Sequence, residues 1–266
     1  MPLSLPRATS YKRVCIFVDG ENFRYSLVDL FRDEKYDFDR HTYLPDADWA
    51  SFFEYLVESA GKRGWELLRS YWYVTRDVYL SPAKLPRGLS ECRDFLSLKR
   101  IPEQMARHGE EPLPIETQED IKAIRDELDS RKRAVRSRQE GWRTVRTAIE
   151  HQNNQIEFRA VGSIRYNLCD EKYGTEKGVD TQMATDLITL ADIYDVAIIV
   201  SGDADYIPPC QAIKRLGKLV YSVSFLTTSG EKLPGGARAL ERVVDGRLEI
   251  PFEESLSRLS IRETRR

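Results

Sequence analysis

Four aspartates stand where a carboxylate can do chemistry. Val14-Cys15-Ile16-Phe17-Val18 is an unbroken apolar run that ends in Asp19. Val196-Ala197-Ile198-Ile199-Val200 is a second such run, followed by Ser201-Gly202-Asp203-Ala204-Asp205-Tyr206. Asp180 opens the patterned stretch just before that second run. Apolar runs too short for helices read as strands buried on both faces, as in parallel sheets. In open parallel sheets ligands bind beyond the carboxyl ends of the strands, where these acids fall. Clustered carboxylates repel one another and are costly to desolvate unless a cation neutralises them. All-oxygen donors favour Mg²⁺ or Mn²⁺. A water activated by such an ion can attack a phosphodiester. Each acid also has a plainer role: Asp19-Gly20 is a common turn pair and a cap, and Asp203 or Asp205 could cap the next helix. Asp180 suits a helix N-terminus on dipole grounds alone. Their joint placement, at two strand ends and a neighbouring helix start, favours the metal site.

The elements that must carry these residues alternate. After Asp19-Gly20-Glu21-Asn22 an amphipathic stretch runs from Phe23 to Phe31. Asp48 is a good N-cap for a second helix carrying Phe52, Phe53, Leu56 and Val57, which stops near Gly61 and Gly64. Leu67 to Val74 reads as an aromatic-rich strand, and prolines 82, 86, 102, 112 and 114 then break the chain. From about 119 to 152 the pattern is helical, with Ile121, Leu128, Val135, Trp142 and Ile149 every seven residues and Gly141 as a candidate interruption. Ile156 to Val161 is a strand and a polar loop follows through Gly174. Val179 to Ala191 is a helix, Pro208 and Pro209 fit the first turn of another, and Leu219 to Phe225 is a last core strand. A short helix is expected between Leu233 and Gly246. Strands alternating with helices predict an α/β fold with a mostly parallel sheet covered on both faces.

Composition narrows the function classes. Lys plus Arg number 41 against 43 Asp plus Glu, a net charge of −2, so no bulk charge marks a nucleic-acid coating protein. No stretch approaches about 18 uncharged apolar residues, which excludes a transmembrane helix. Met1 to Ser10 lacks an apolar core, so no signal peptide is expected and the chain is placed in the cytoplasm. Cys15, Cys92, Cys169 and Cys210 form no CxxC pair and read as core or incidental thiols. His41, His108 and His151 share no ligand spacing.

Three blocks together resemble the NYN domain, a family of the PIN-like nuclease superfamily, and are closest to its LabA-like branch. They are Asp19-Gly20-Glu21-Asn22, Lys177-Gly178-Val179-Asp180 with Asp186, and Ser201 to Tyr206. Ala239-Leu240 followed by Asp245 is similar to the family's closing helix. The likeness covers about 14–31 and 156–250, and only element order matches over 32–155. It implies one three-layer α/β/α domain over 1–266, from which the chain departs by a helix-rich insertion at about 75–150. It also implies metal-dependent endonuclease activity, usually on RNA, with Mg²⁺ or Mn²⁺ held by Asp19, Asp180, Asp203 and Asp205. Asn22 would position Asp19 or a phosphate, and Ser201 would hydrogen-bond within the acidic loop. Asp186 falls about 120° around the helix from Asp180, so it would support rather than ligate. Lys177 would meet a substrate phosphate or remain a solvated loop lysine.

The insertion has its own signal. Arg131, Lys132, Arg133, Arg136, Arg138, Arg143 and Arg146 place seven positive charges within sixteen residues, opposed only by Glu140. Such a helix could track a phosphate backbone through Arg131, Arg138 and Arg143, with Trp142 stacking. It could equally be a solvated face, with Trp142 in the apolar stripe. The heptad stripe allows a homodimer through this helix or packing on the core. Two other functions compete with the nuclease: an RNA-binding or regulatory module without turnover, and a haloacid-dehalogenase-type phosphatase. The phosphatase needs an aspartate two positions after its first, where this chain has Glu21. Four intact acids weigh against the binding module, since concentrated negative charge repels a polyanion unless a metal is bound.

Overall fold

A computed structural model describes residues 11–32, 47–81, 115–168, 175–235 and 237–261. The proline-punctuated segment 82–114, Cys92, Cys169, His41 and His108 lie outside the described residues. The chain divides into two compact units: Met1–Val74, Thr144–Val161 and Gly178–Arg266 form the first, Thr75–Arg143 and Gly162–Lys177 the second.

The first unit is built around β1 (Lys12–Asp19), whose residues Val14 to Val18 are fully buried. It pairs in parallel with β2 (Trp65–Ser81) on one side and β5 (Val196–Val200) on the other. β6 (Leu219–Leu226) continues the parallel sheet beside β5, and β8 (Gly246–Pro251) pairs in parallel with β6. β7 (Lys232–Leu233) runs antiparallel to β6, and β3 (Ile156–Asn167) is the neighbour of β2. The order β3-β2-β1-β5-β6-β7 is that of a mixed, mostly parallel sheet.

Successive strand residues face opposite sides, so the sheet is covered twice. On one face Cys15, Phe17, Tyr71, Tyr73, Ala197 and Ile199 pack under α4 (Val179–Thr189) and α5 (Ile207–Arg215), through Met183, Leu187, Cys210 and Ile213. On the other, α1 (Gly20–Leu30) and α2 (Trp49–Ser59) lay Phe23, Trp49, Phe52 and Phe53 against Trp72 and Phe225. The α/β expectation therefore holds, with three layers in this unit. Cys15 and Cys210 are buried free thiols, as expected, and burial pushes each up to about 12.

Asp48 caps α2 by accepting from the Ser51 N–H at 2.9 Å, and the two prolines occupy the first turn of α5. The expected helix between 233 and 246 is instead one 3₁₀ turn, Leu240–Arg242, followed by β8 and α6 (Phe252–Arg258). β8 alternates exposed Arg247 and Glu249 with buried Leu248 and Ile250. A search for unbroken apolar runs passes over such a strand.

In the second unit the distal part of β3 pairs antiparallel with β4 (Thr175–Lys177), matching Ser163 with Lys177. The polar loop expected there begins only after β3, which runs to Asn167 rather than Val161. The long helix α3 (Ile115–Gln152) is continuous through Gly141 and belongs to this unit as far as Arg143. Ile124, Leu128 and Val135 pack with Leu168, Val78, Leu80 and Tyr166. The apolar stripe is thus taken up within the chain, which leaves the homodimer through α3 without support.

Two glycines on α1 and α3 make opposite demands. A Cβ on Gly20 would lie 2.2 Å from the Tyr73 carbonyl oxygen, whereas one on Gly141 meets nothing within 4 Å. Gly20→Ala is expected to lower the melting temperature. Gly141→Ala should raise stability by about 0.5–1 kcal/mol. Thermal melts of the two variants beside the wild type check both signs.

Candidate functional site

β1 and β5 pair with Val18 opposite Val200, so the residues that follow them emerge side by side. Asp19, only 5% exposed, ends β1 and caps α1 by accepting from the Asn22 N–H at 3.1 Å through Oδ1. Its Oδ2 accepts from the Ser201 hydroxyl at 3.0 Å and lies 3.3 Å from the Tyr206 hydroxyl. Ser201 Oγ accepts in turn from the Asp203 N–H at 3.1 Å, and Asn22 Oδ1 from the Gly202 N–H at 3.1 Å. Two side chains, Asn22 and Ser201, therefore lace the start of α1 to the loop after β5. Packing seals this lacing. A Cβ on Gly202 would stand 2.3 Å from Pro234 Cγ and 3.2 Å from the Ala237 nitrogen.

Asp180 reaches the same point from the first turn of α4. That helix starts at Gly178, whose φ of 93° is left-handed and suits glycine. Asp180 Oδ1 lies 3.0 Å from the Tyr206 hydroxyl. The fully buried Tyr206 thus sets one O–H between two carboxylates, Asp19 and Asp180, and can donate to only one at a time. Burial and the charges of Asp19, Asp180 and Asp203 hold its phenol far above the ordinary value. Burial also raises the Asp19 carboxyl to about 6, countered by the Asn22 N–H and reinforced by Asp180 and Asp203.

The charge at this point is uncompensated. Among the described residues, no lysine or arginine forms an ion pair with Asp19, Asp180, Asp203 or Asp205. Three other acids of the unit are answered. Asp186 accepts from the Tyr73 hydroxyl at 2.8 Å, from Gln182 at 2.9 Å and from Arg159, whose guanidinium also lies over the Tyr71 ring. Asp195 pairs with Arg13, and Asp245 with Lys214. Asp186 is therefore a buried anchor for α4, standing apart from the Asp19 group.

The oxygen donors suit a hard divalent cation in kind and in unbalanced charge. They are not gathered at ligand distances: among the described residues no three His, Cys, Asp or Glu side chains form a metal-holding group. Asp203 spends one oxygen on the Asp205 N–H at 2.9 Å, capping the 3₁₀ turn Ala204–Tyr206. The plainer capping roles of Asp19 and Asp203 are thus real, and each occupies only part of its carboxylate. Asp205 is exposed at the rim, with no hydrogen bond to Asp19, Asp180 or Tyr206.

The residues expected to meet phosphate differ in their surroundings. Lys177 is exposed on β4 in the second unit. Arg131 is turned onto Glu127 and the Leu168 carbonyl, and Arg138 onto the Ala134 carbonyl at 3.4 Å. Arg143 is exposed. Sequence reasoning gave no role to Tyr206, the last residue of the Ser201–Tyr206 block. It also passed over Arg238 and Arg242, exposed residues four apart that line a pocket of about 640 Å³. The wall of that pocket includes Pro234 and Ala237, the residues packed on Gly202. An arginine pair at helical spacing just after Pro234-Gly235-Gly236 was the available signal.

Comparison with known proteins gives one family. The NYN domain matches residues 84–248, which takes in Asp180, Asp203, Asp205 and Tyr206 and begins after Asp19 and Asn22. No curated protein matches the chain. A crystal structure of a protein of unknown function from Vibrio parahaemolyticus is similar at 16% identity and a TM-score of 0.42, covering 92% of this chain and 96% of that one.

The raised Asp19 carboxyl has a measurable consequence. The folded chain holds this proton more tightly than the unfolded one, where the group ionises near 3.8. The cost of burying Asp19 is therefore absent below about pH 4 and grows as the pH rises through about 6. In EDTA, Asp19→Asn should be more stable than wild type near neutral pH, by up to about 3 kcal/mol. The gap should close as the pH falls from 6 to 4 in melts followed by circular dichroism. A gap independent of pH would remove the buried charge from the account.

Proposed function

Because the chain belongs to the NYN domain family of the PIN-like superfamily, a nuclease-type family, we propose that it is a metal-dependent endonuclease hydrolysing phosphodiester bonds in RNA. One observation carries this reading: Asp19 and Asp180 flank the Tyr206 hydroxyl, the charge of Asp203 acts on the same phenol, and among the described residues no cationic side chain is paired to the three acids. The buried charge of Asp19, beside the more exposed Asp180 and Asp203, is unfavourable in the free chain and becomes favourable on meeting a cation. Asp19, Asp180 and Asp203 would hold Mg²⁺ or Mn²⁺, with Asp205 at the rim. Such an ion supplies an activated water and stabilises charge on the phosphoryl oxygens.

The chain's own residues then have definite tasks. Asn22 and Ser201 fix the orientation of Asp19, so that its Oδ2 does not swing back toward solvent. The Tyr206 hydroxyl keeps Asp180 turned toward Asp19 despite their repulsion. Asp186, tied by Arg159 and Tyr73, keeps α4 and hence Asp180 in place. Arg238 and Arg242 offer positive charge to a strand that the acids alone would repel. The helix-rich insertion of this proposal is about 75–150, within one NYN domain of the LabA-like branch acting in the cytoplasm. No helix among the described residues is long and apolar enough to cross a membrane.

A non-catalytic RNA-binding module is the second reading, favoured by the absence of three preassembled ligands among the described residues. End-labelled single-stranded RNA, structured RNA and DNA, incubated with Mn²⁺, Mg²⁺ or EDTA, separate the two. The nuclease cleaves RNA only with metal, and Asp203→Asn lowers the rate by at least about a hundredfold. Mn²⁺ should also raise the melting temperature of the wild type and not of Asp203→Asn. RNA binding with neither cleavage nor a thermal shift would establish the binding module.

A further inference from the structure

Within the second unit, the end of β2 and one face of α3 enclose a groove of about 450 Å³. Arg76 and Tyr79 line it from β2, and Lys132, Arg136 and Arg143 from α3. The three α3 cations are four and seven residues apart, so they share a helix face over about 16 Å. This face flanks the apolar stripe of Ile124, Leu128 and Val135, whose partners Val78, Leu80 and Leu168 also line the groove. Lys132 and Arg136 enter no hydrogen bond or ion pair among the described residues. Asp77 is the one acid in the lining, and it is already paired with Arg76 at 3.0 Å. The Tyr79 side of the groove presents an aromatic residue 56% exposed to solvent.

We infer that this groove binds single-stranded nucleic acid, with Lys132 and Arg136 against successive phosphates and Tyr79 stacked on a base. Two unanswered cations one helical turn apart, Lys132 and Arg136, recognise a polyanion, and an exposed aromatic ring beside them selects unpaired bases over a duplex. An acidic peptide would use the cations and leave the ring idle. The assignment rests on nucleic acid being the substrate, as proposed above, and does not require turnover. Of the contacts expected from sequence, Arg143 lines this groove. Arg131 and Arg138 turn to their own helix and to Leu168, while Lys132, Arg136 and Tyr79 take the strand.

The test is binding of a fluorescein-labelled 12-nucleotide RNA to the full chain in EDTA, followed by anisotropy across a salt series. With Lys132→Ala and Arg136→Ala combined, the slope of log affinity against log salt should become shallower by about 1.4. Tyr79→Ala should weaken binding about tenfold, and Tyr79→Phe should not. A hairpin of the same composition should bind less tightly than the single strand. Because Arg136 is exposed, Arg136→Ala alone, with an unchanged melting temperature, guards against a folding artefact. Unchanged affinity and slope in these variants would overturn the assignment, as would equal competition by polyglutamate. Loss of binding in them with no metal-dependent cleavage by wild type would keep the groove and remove the nuclease. Cleavage with unaltered binding in every variant would do the reverse.

Discussion

The parallel pairing of β1 with β5 is the constraint on which the site depends. It brings Asp19 and Ser201 out of the sheet at the same level. Every later contact at the site is conditional on that register. Ser201 can reach Asp19, the Asp203 N–H can reach Ser201, and Asn22 can reach Gly202 only because two strand ends coincide. A slip of one residue would turn each side chain to the opposite face of the sheet. The fully buried runs Val14–Val18 and Val196–Val200, covered on both faces, are what make such a slip prohibitive.

The same sheet places an ionisable group where the surroundings disfavour its charge. Asp19 has two hydroxyls and one backbone N–H around it, which lower the cost of burial without cancelling it. Asp186 shows what full compensation looks like in the same unit: a guanidinium, a phenol and an amide on one carboxylate. The contrast separates a structural acid from one held in an unbalanced state. Both lie on the side of the sheet where α4 packs, and each is addressed by a phenol, Tyr206 for Asp19 and Tyr73 for Asp186.

Much of this was legible in the amino-acid order. Continuous apolar runs mark strands buried on two faces, so β1 and β5 and the acids at their ends could be read directly. Asp48 and the Pro208-Pro209 pair announced helix starts for local reasons of hydrogen bonding and fixed φ. β8 was passed over because its alternating pattern signals a half-exposed strand. Tyr206 was quoted within a motif but given no task, since its place between Asp19 and Asp180 depends on α4 and the loop after β5 meeting in space. The charges of α3 can be counted in the sequence, but their partners cannot. Helical spacing does not tell which cation folds back on a carbonyl and which faces a groove.

The contact between Gly202 and Pro234 reaches beyond this one chain. Position 202 has no room for a methyl group while Pro234 stands where it does, and the Ala237 backbone closes the other side. Drift at one of these places is therefore not independent of the other. Across descendants of this sequence, a larger residue at 202 should appear only alongside a smaller or displaced one at 234, so that the two positions form a covarying pair. That pairing would record the steric history of the loop in the sequences themselves.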